Sequence, residues 1–311
     1  MKIGFVGAGG IGSWYAGLLS RAGHDVILIA RGAHLDAIKA RGLAVRAPNE
    51  TFVAHPTATA NADDLASCEY VVVSVKSYSI PEVSPMIAAA ARAGATVIPL
   101  LNGVEVADRL ASGGVPRESI VGGLAAVSLF RTDPGVVERR SPFDRIVIGE
   151  FDGHASARTK KFADALSAVG VSASVSGDIA HDLWRKFAFI VPMTVASGLT
   201  RRPMGAMLST DRGRAFIGAT LAELAAVSRA GETAISEDDE ARIRTDLLGI
   251  SPAMQPSFLA DLERGGPTEV DALAGAVSRM GRERGVSTPI HDFASTVFEA
   301  ATSGAERRAS I

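Results

Sequence analysis

A single cysteine, Cys68, stands among 311 residues. One thiol builds neither a disulfide framework nor a thiolate metal cluster. Its place just before an apolar strand reads as a small packed residue rather than a nucleophile. Aromatic residues are scarce at 5%, and the charges nearly cancel, since 32 Lys and Arg against 34 Asp and Glu leave −2. That balance offers nothing to a nucleic acid or an anionic membrane surface. No apolar run reaches the length that crosses a bilayer. The first residues enter a strand directly, with no secretory signal pattern, so a cytoplasmic protein is expected. His24, His34, His55, His154, His181 and His291 show no H-E-x-x-H and no metal-ligand spacing, so no metal is expected. Repeats and low-complexity segments are absent as well.

What is present is apolar substance, 47% of the chain, enough for two domains of ordinary size. The stretch KIGFVGAGGIGSWYAGLLSRAGHDVILIAR, Lys2 to Arg31, sets the terms. Ile3 to Val6 reads as a buried parallel strand. Gly7, Ala8, Gly9, Gly10, Ile11 and Gly12 follow as G-x-G-x-x-G, Ser13 to Arg21 carry a helical pattern ended by Gly23, and Val26 to Ala30 form a second strand. Gly7 permits the tight turn, Gly9 lets a pyrophosphate approach the backbone, and Gly12 lets the helix pack on the strand. The helix N-terminus then faces the phosphates. A dinucleotide site is therefore predicted, the alternative being a glycine-rich turn without ligand. No acid ends the second strand to take a ribose 2′-OH. Arg31 stands there, a cation that suits a 2′-phosphate, so NADP(H) is predicted; otherwise Arg31 is a solvated arginine capping the next helix.

Strand and helix patterns alternate to about residue 176, predicting a doubly wound parallel sheet that the later strands extend in mixed orientation. The expected pieces include a helix over 33–41, a strand pair over 43–54, strands at Tyr70 to Val75 and Thr96 to Leu101, and a helix at Pro81 to Ala93. Strands are also expected at Val136 to Arg140, Ile146 to Glu150 and Val171 to Val175, with a helix over 155–168. From Asp178 helical patterns take over: 178–198, 210–230, 237–247, 269–284 and 290–302. The fold class is α/β, with an N-terminal Rossmann-type dinucleotide-binding domain over 1–176 and an all-helical C-terminal domain over 177–311. The tail from Glu306 to Ile311 is expected to fray. Ample apolar surface in the helical half allows a homodimer.

Ligands on such sheets bind beyond the carboxyl ends of the strands. Lys76 and Asn102 stand at two of those ends, as site residues or as a solvated loop lysine and an Asn-Gly turn. In LWRKFAFIVPMT, Lys186 interrupts an apolar helix and shares a face with Ile190 and Thr194. A partly desolvated lysine has its pKa lowered towards the range of a general acid; the alternative is a lysine snorkelling from the helix edge. Glu269 and Asp271 follow Thr268 at a helix start, where they could serve the helix dipole. A His181–Asp182 dyad is a remote alternative.

Taken together, GAGGIG, Arg31, Lys76 in VSVKSY, Asn102-Gly103 in LLNGVE, Lys186 in LWRKF and the run SFLADLERGGPTEVDAL make the chain resemble the ketopantoate reductase (2-dehydropantoate 2-reductase) family over nearly its whole length. The resemblance implies a Rossmann-type domain, a helical domain, an NADPH site in the cleft, and reduction of a 2-oxo acid to a 2-hydroxy acid, in pantothenate biosynthesis if the substrate is the family's own. It also implies Lys186 as general acid, Glu269 as the residue that orients it and hydrogen-bonds substrate or cofactor, Ser257 as a substrate contact, Asn102 as a residue that helps place cofactor and substrate, and Lys76 near cofactor and substrate carboxylate. The family's reductases carry asparagines four and eight residues after that lysine. Here Ile190 and Thr194 replace them, which points to a less polar 2-oxo acid. A non-catalytic NADP(H)-binding sensor is the reading from a different class.

Overall fold

Alternate residues of the first apolar runs face opposite ways, and this organises the N-terminal half. In chain order the computed structural model, which describes residues 1–303, contains β1 (Lys2–Val6), α1 (Gly10–Arg21), β2 (Asp25–Ile29), α2 (Gly32–Arg41), β3 (Leu43–Arg46), β4 (Thr51–Ala54), β5 (Thr57–Thr59), a 3-10 helix (Ala62–Ser67), β6 (Tyr70–Val73), α3 (Ile80–Arg92), β7 (Thr96–Pro99) and α4 (Val106–Ser112). It continues with β8 (Gly122–Ala126), β9 (Leu129–Asp133), β10 (Val136–Arg139), β11 (Arg145–Gly149), α5 (Ala157–Ala168) and β12 (Ser172–Val175). The fraying expected for Glu306 to Ile311 lies outside the described residues.

β5, β2, β1, β6 and β7 lie side by side in that order, all parallel. Ile3, Phe5, Leu28, Val72 and Ile98 join Trp14, Leu18 and Leu19 of α1 and Phe162 of α5 in one apolar cluster. Val6, Ile27, Val71, Val73 and Val97 join Ile80, Val83 and Ile87 of α3 in another. A sheet covered on both faces needs apolar residues on both, hence continuous rather than alternating runs. Cys68 is buried on the α3 side, where burial pushes its thiol up to about 11. This is the packed role expected from the sequence, and a thiol so raised is inert.

The later strands do not extend this sheet as anticipated. They form two others, of order β4-β3-β10-β9 and β12-β11-β8. The cause lies at the edge of β7. Pro99 has no N–H to donate to a further strand, and the link beyond it is a single parallel bridge between Val97 and Ile120. The predicted strands at Tyr70 and Thr96 are also shorter, ending at Val73 and Pro99.

The helices beyond are α6 (Ile179–Thr200), α7 (Gly205–Leu208), α8 (Asp211–Arg229), α9 (Glu237–Leu248), α10 (Ser257–Arg264), α11 (Ala274–Arg284) and α12 (Pro289–Ser303). Trp184, Phe187, Val191 and Val195 of α6 share a core with Leu221 and Leu224 of α8, Val277 of α11 and Phe298 of α12. The short helices α7 and α10 fall between the helical patterns expected from the sequence. Helix α11 begins at Ala274 rather than Glu269, because Leu273 takes a non-helical backbone, φ −113° and ψ −100°. Among the described residues no helix is long and apolar enough to cross a membrane.

The chain divides into two compact units. One comprises Met1–Leu101 and Val106–Ile179; the other comprises Asn102–Glu105 with the residues from Ala180 onward. The four residues after β7 thus belong with the helices. Val104 packs on the helical core and Glu105 pairs with Arg279 of α11 at 2.5 Å.

Candidate active site

The turn between β1 and α1 is shaped by its glycines. Gly7 has φ +110°, a conformation that L side chains rarely adopt. A Cβ on Gly12 would overlap the Gly7 carbonyl oxygen and come within 2.5 Å of Ser74 Oγ. Gly9 differs, since a Cβ there would meet nothing closer than the Ser74 carbonyl oxygen at 4.0 Å. Gly9 is also the N-cap of α1, with no side-chain cap and no acid in the first turn. The first-turn N–H groups of Gly10, Ile11 and Gly12 have no carbonyl partner within the helix and lie at its positive end. A pyrophosphate fits that cradle, which is lined by backbone rather than by carboxylates.

Three supports of this turn escaped the sequence reading. Ser74, one residue past β6, donates from Oγ to the Gly7 carbonyl at 2.8 Å. Trp14 Nε1 and Tyr15 OH donate to the two oxygens of buried Asp144, at 2.7 and 2.6 Å. Burial, then the Asp144 carboxylate, drives the Tyr15 pKa far up. His34 Nδ1 accepts from the Gly135 N–H at 2.9 Å, so Nε2 carries the proton and donates to Ser13 Oγ at 3.2 Å. Burial and the nearby Arg131 charge hold His34 neutral, its pKa down at about 4. A serine two residues before Lys76 was a visible signal; the partners of Trp14, Tyr15 and Ser13 lie too far along the chain to be read.

Arg31 follows β2 and is the N-cap of α2, without a side-chain cap bond. Its guanidinium reaches out and pairs with Glu82 in the first turn of α3, Nη1 to Oε1 at 2.7 Å. Lys76 is half-buried beyond β6, and its carbonyl accepts from the Ser79 N–H at 2.9 Å.

In the helical unit Lys186 lies on α6 and is half-buried. Burial drives its ammonium pKa down while the Glu269 carboxylate raises it, and the balance rests at about 8. Glu269 is only 6% exposed. Its carbonyl accepts from the N–H groups of Ala272 and Leu273, both at 3.1 Å, in the turns ahead of α11. Helix α11 starts only at Ala274, so Glu269 does not stand in its first turn. Asp271 instead pairs with Arg279 at 2.8 Å. A cation and a carboxylate in this setting can hold and release a proton near neutral pH.

On the Lys186 face, Ile190 is half-buried and Thr194 only 3% exposed. Thr194 Oγ1 donates to the Ile190 carbonyl at 2.9 Å, so its hydroxyl proton is used within the helix. Ser257 opens α10 and is exposed. Asn102 is half-buried and belongs to the same compact unit as Lys186 and Glu269. His181 pairs through Nε2 with Asp239 at 3.1 Å, and Arg185 holds the other oxygen of the same carboxylate at 3.1 Å. That cluster ties α6 to α9. Among the described residues no group of three His, Cys, Asp or Glu could hold a metal ion.

Sequence comparison covers both units. The family profile described as ketopantoate reductase PanE/ApbA matches residues 3–153, and its C-terminal counterpart matches 178–301. A 2-dehydropantoate 2-reductase of Mesorhizobium japonicum is 30% identical, aligning 94% of this chain with 95% of that protein. A crystal structure of a PanE/ApbA family ketopantoate reductase from Ralstonia eutropha is similar with a TM-score of 0.90 at 27% identity, over 98% of this chain and 100% of that one. A D-mandelate dehydrogenase in complex with NADH is similar with a TM-score of 0.85 at 25% identity, over 98% and 100%. The chain belongs to the ketopantoate reductase PanE/ApbA family, oxidoreductases that use a nicotinamide dinucleotide and act on a CH–OH group.

Proposed function

We propose that the protein reduces a 2-oxo acid to the 2-hydroxy acid with NADPH, through Lys186 as general acid. The observation that carries this is the lysine itself, whose pKa is brought to about 8 by burial opposed by Glu269. At neutral pH such a lysine is mostly protonated and still gives up its proton readily, which is what a general acid requires.

When bound, the reduced nicotinamide supplies the hydride that attacks the carbonyl carbon. This chain's own residues do the rest. Lys186 Nζ hydrogen-bonds the carbonyl oxygen, stabilises the negative charge that develops there, and delivers the proton that completes the hydroxyl. Glu269 keeps the lysine charged and oriented. Asn102 and Ser257 position the substrate, and Lys76 attracts its carboxylate and the cofactor phosphates. Gly7, Ala8, Gly9, Gly10, Ile11 and Gly12 hold the pyrophosphate, and Arg31 takes the 2′-phosphate. This organisation corresponds to a dinucleotide-binding domain over about 1–176 and a substrate domain over about 177–311, in a cytoplasmic enzyme.

The relatives named 2-dehydropantoate 2-reductase make 2-dehydropantoate the first substrate to try, and with it pantothenate biosynthesis. A second reading is favoured by a specific observation. Ile190 offers no hydrogen bond, and Thr194 donates its own within the helix. An apolar face gains nothing from a substrate hydroxyl and discriminates against it by up to roughly 10²-fold. A 2-oxo acid with a branched aliphatic or aromatic side chain suits this face better, in keeping with a D-mandelate dehydrogenase among the structural relatives. A panel of 2-oxo acids assayed with NADPH and with NADH tests both readings. Turnover of 2-dehydropantoate supports the first, and turnover of a less polar 2-oxo acid alone supports the second. Cofactor binding without oxidation across the whole panel would leave the non-catalytic sensor.

A further inference from the structure

The guanidinium of Arg31 is already occupied. Its Nη1 lies 2.7 Å from Glu82 Oε1, and the two side chains are 78% and 58% exposed. Arg31 follows β2, and Glu82 belongs to the helix that follows β6; β1, with its glycine turn, lies between those two strands. The pair thus spans the carboxyl edge of the sheet on which a dinucleotide's adenosine end would rest. The carboxylate that a sheet of this kind usually carries at the end of its second strand is missing there, and α3 supplies one from the other side.

We propose that Glu82 is a specificity-determining residue that competes with the 2′-phosphate for Arg31 and so holds the protein back from a full preference for NADPH. The proposal rests on the reading of Arg31 as the 2′-phosphate ligand. With NADH, the Arg31–Glu82 pair persists and the free carboxylate oxygen accepts from the ribose 2′-OH. With NADPH, Arg31 must leave Glu82 for the phosphate, and the carboxylate then stands unpaired beside a dianion. Both features lower affinity for NADPH and raise it for NADH. Because the pair is exposed and screened by solvent, the effect is modest.

The test uses the intact protein and direct titration of NADPH, NADH, 2′,5′-ADP and 5′-ADP into wild type, Glu82→Gln, Arg31→Ala and Asp63→Asn. Glu82→Gln should bind NADPH and 2′,5′-ADP about 2- to 5-fold more tightly, as expected for releasing an exposed ion pair. NADH and 5′-ADP should bind equally well or more weakly. Asp63 lines the same groove as Glu82, so Asp63→Asn removes one negative charge nearby without removing Arg31's partner, and should leave the NADPH to NADH ratio unchanged. The gain in Glu82→Gln should shrink as salt rises. Unchanged binding in Glu82→Gln, or an equal shift for both cofactors, overturns the role of Glu82. Should Arg31→Ala weaken NADPH alone while Glu82→Gln changes nothing, the 2′-phosphate reading survives and only the competition fails. If Arg31→Ala weakens both cofactors equally, the 2′-phosphate reading fails and takes the proposal with it.

Discussion

Replacing Glu269 by Gln separates the electrostatic work of that carboxylate from its shape. Two opposed effects set the Lys186 pKa at about 8, burial lowering it and Glu269 raising it. Glutamine keeps the size and a hydrogen-bonding oxygen but removes the charge, so burial alone remains and the lysine pKa falls. A neighbouring carboxylate commonly shifts a pKa by on the order of one unit or more. With one unit lost, the protonated fraction at pH 8 drops from about one half to about one tenth. At pH 6 it stays above about nine tenths in both forms. The pH profile of kcat/KM for 2-oxo acid reduction, at saturating NADPH, reports this group in the form that captures substrate. Its alkaline limb should move to lower pH, with about a 5-fold loss at pH 8 and little loss at pH 6. Oxidation of the 2-hydroxy acid needs the neutral lysine as base, so its profile should rise earlier as pH increases. An alkaline limb that stays in place, or moves to higher pH, would refute the coupling between Glu269 and Lys186.

Two glycines of the opening turn should respond differently. Gly12→Ala drives a Cβ into the Gly7 carbonyl, a backbone obstacle that cannot rotate away, and should cost about 1–3 kcal/mol of stability in chemical denaturation. Gly9→Ala meets open space and should keep stability within about 0.5 kcal/mol while weakening NADPH binding at least tenfold by titration; normal binding would clear the space of a pyrophosphate. His34 bears on stability against pH. Its folded pKa of about 4 lies below the ordinary value near 6.5, so its contribution is complete above about pH 6.5 and is lost as pH falls towards 4. Denaturation at pH 7 and pH 4.5 should show wild type losing up to about 3 kcal/mol more than His34→Gln; equal losses would mean that His34 does not titrate with folding.

The opening β–turn–α–β unit was legible because its signals are local: continuous apolar runs, glycines where the backbone needs them, and lengths that fit. Lys186 was legible as a charge inside an apolar helix. The partition into three sheets was not, because it turns on a missing N–H at Pro99 and on pairings between distant strands. Nor was the attachment of Asn102–Glu105 to the helical unit, which depends on Glu105 meeting Arg279, 174 residues along the chain. Glu269 looked like part of a helix start because Thr268 precedes it; only the backbone at Leu273 delays the helix and leaves Glu269 buried in a turn. Arg31 was visible as a cation, but its occupant Glu82 lies 51 residues away. Partners of surface charges at such range leave no pattern in a single sequence.

The most direct test of the account is the turnover of Lys186→Ala on whichever 2-oxo acid the wild-type enzyme reduces, with NADPH affinity measured in parallel. Loss of a general acid should lower kcat by at least about 10²-fold while NADPH binds as it does to wild type. Near-normal turnover in Lys186→Ala would contradict the mechanism.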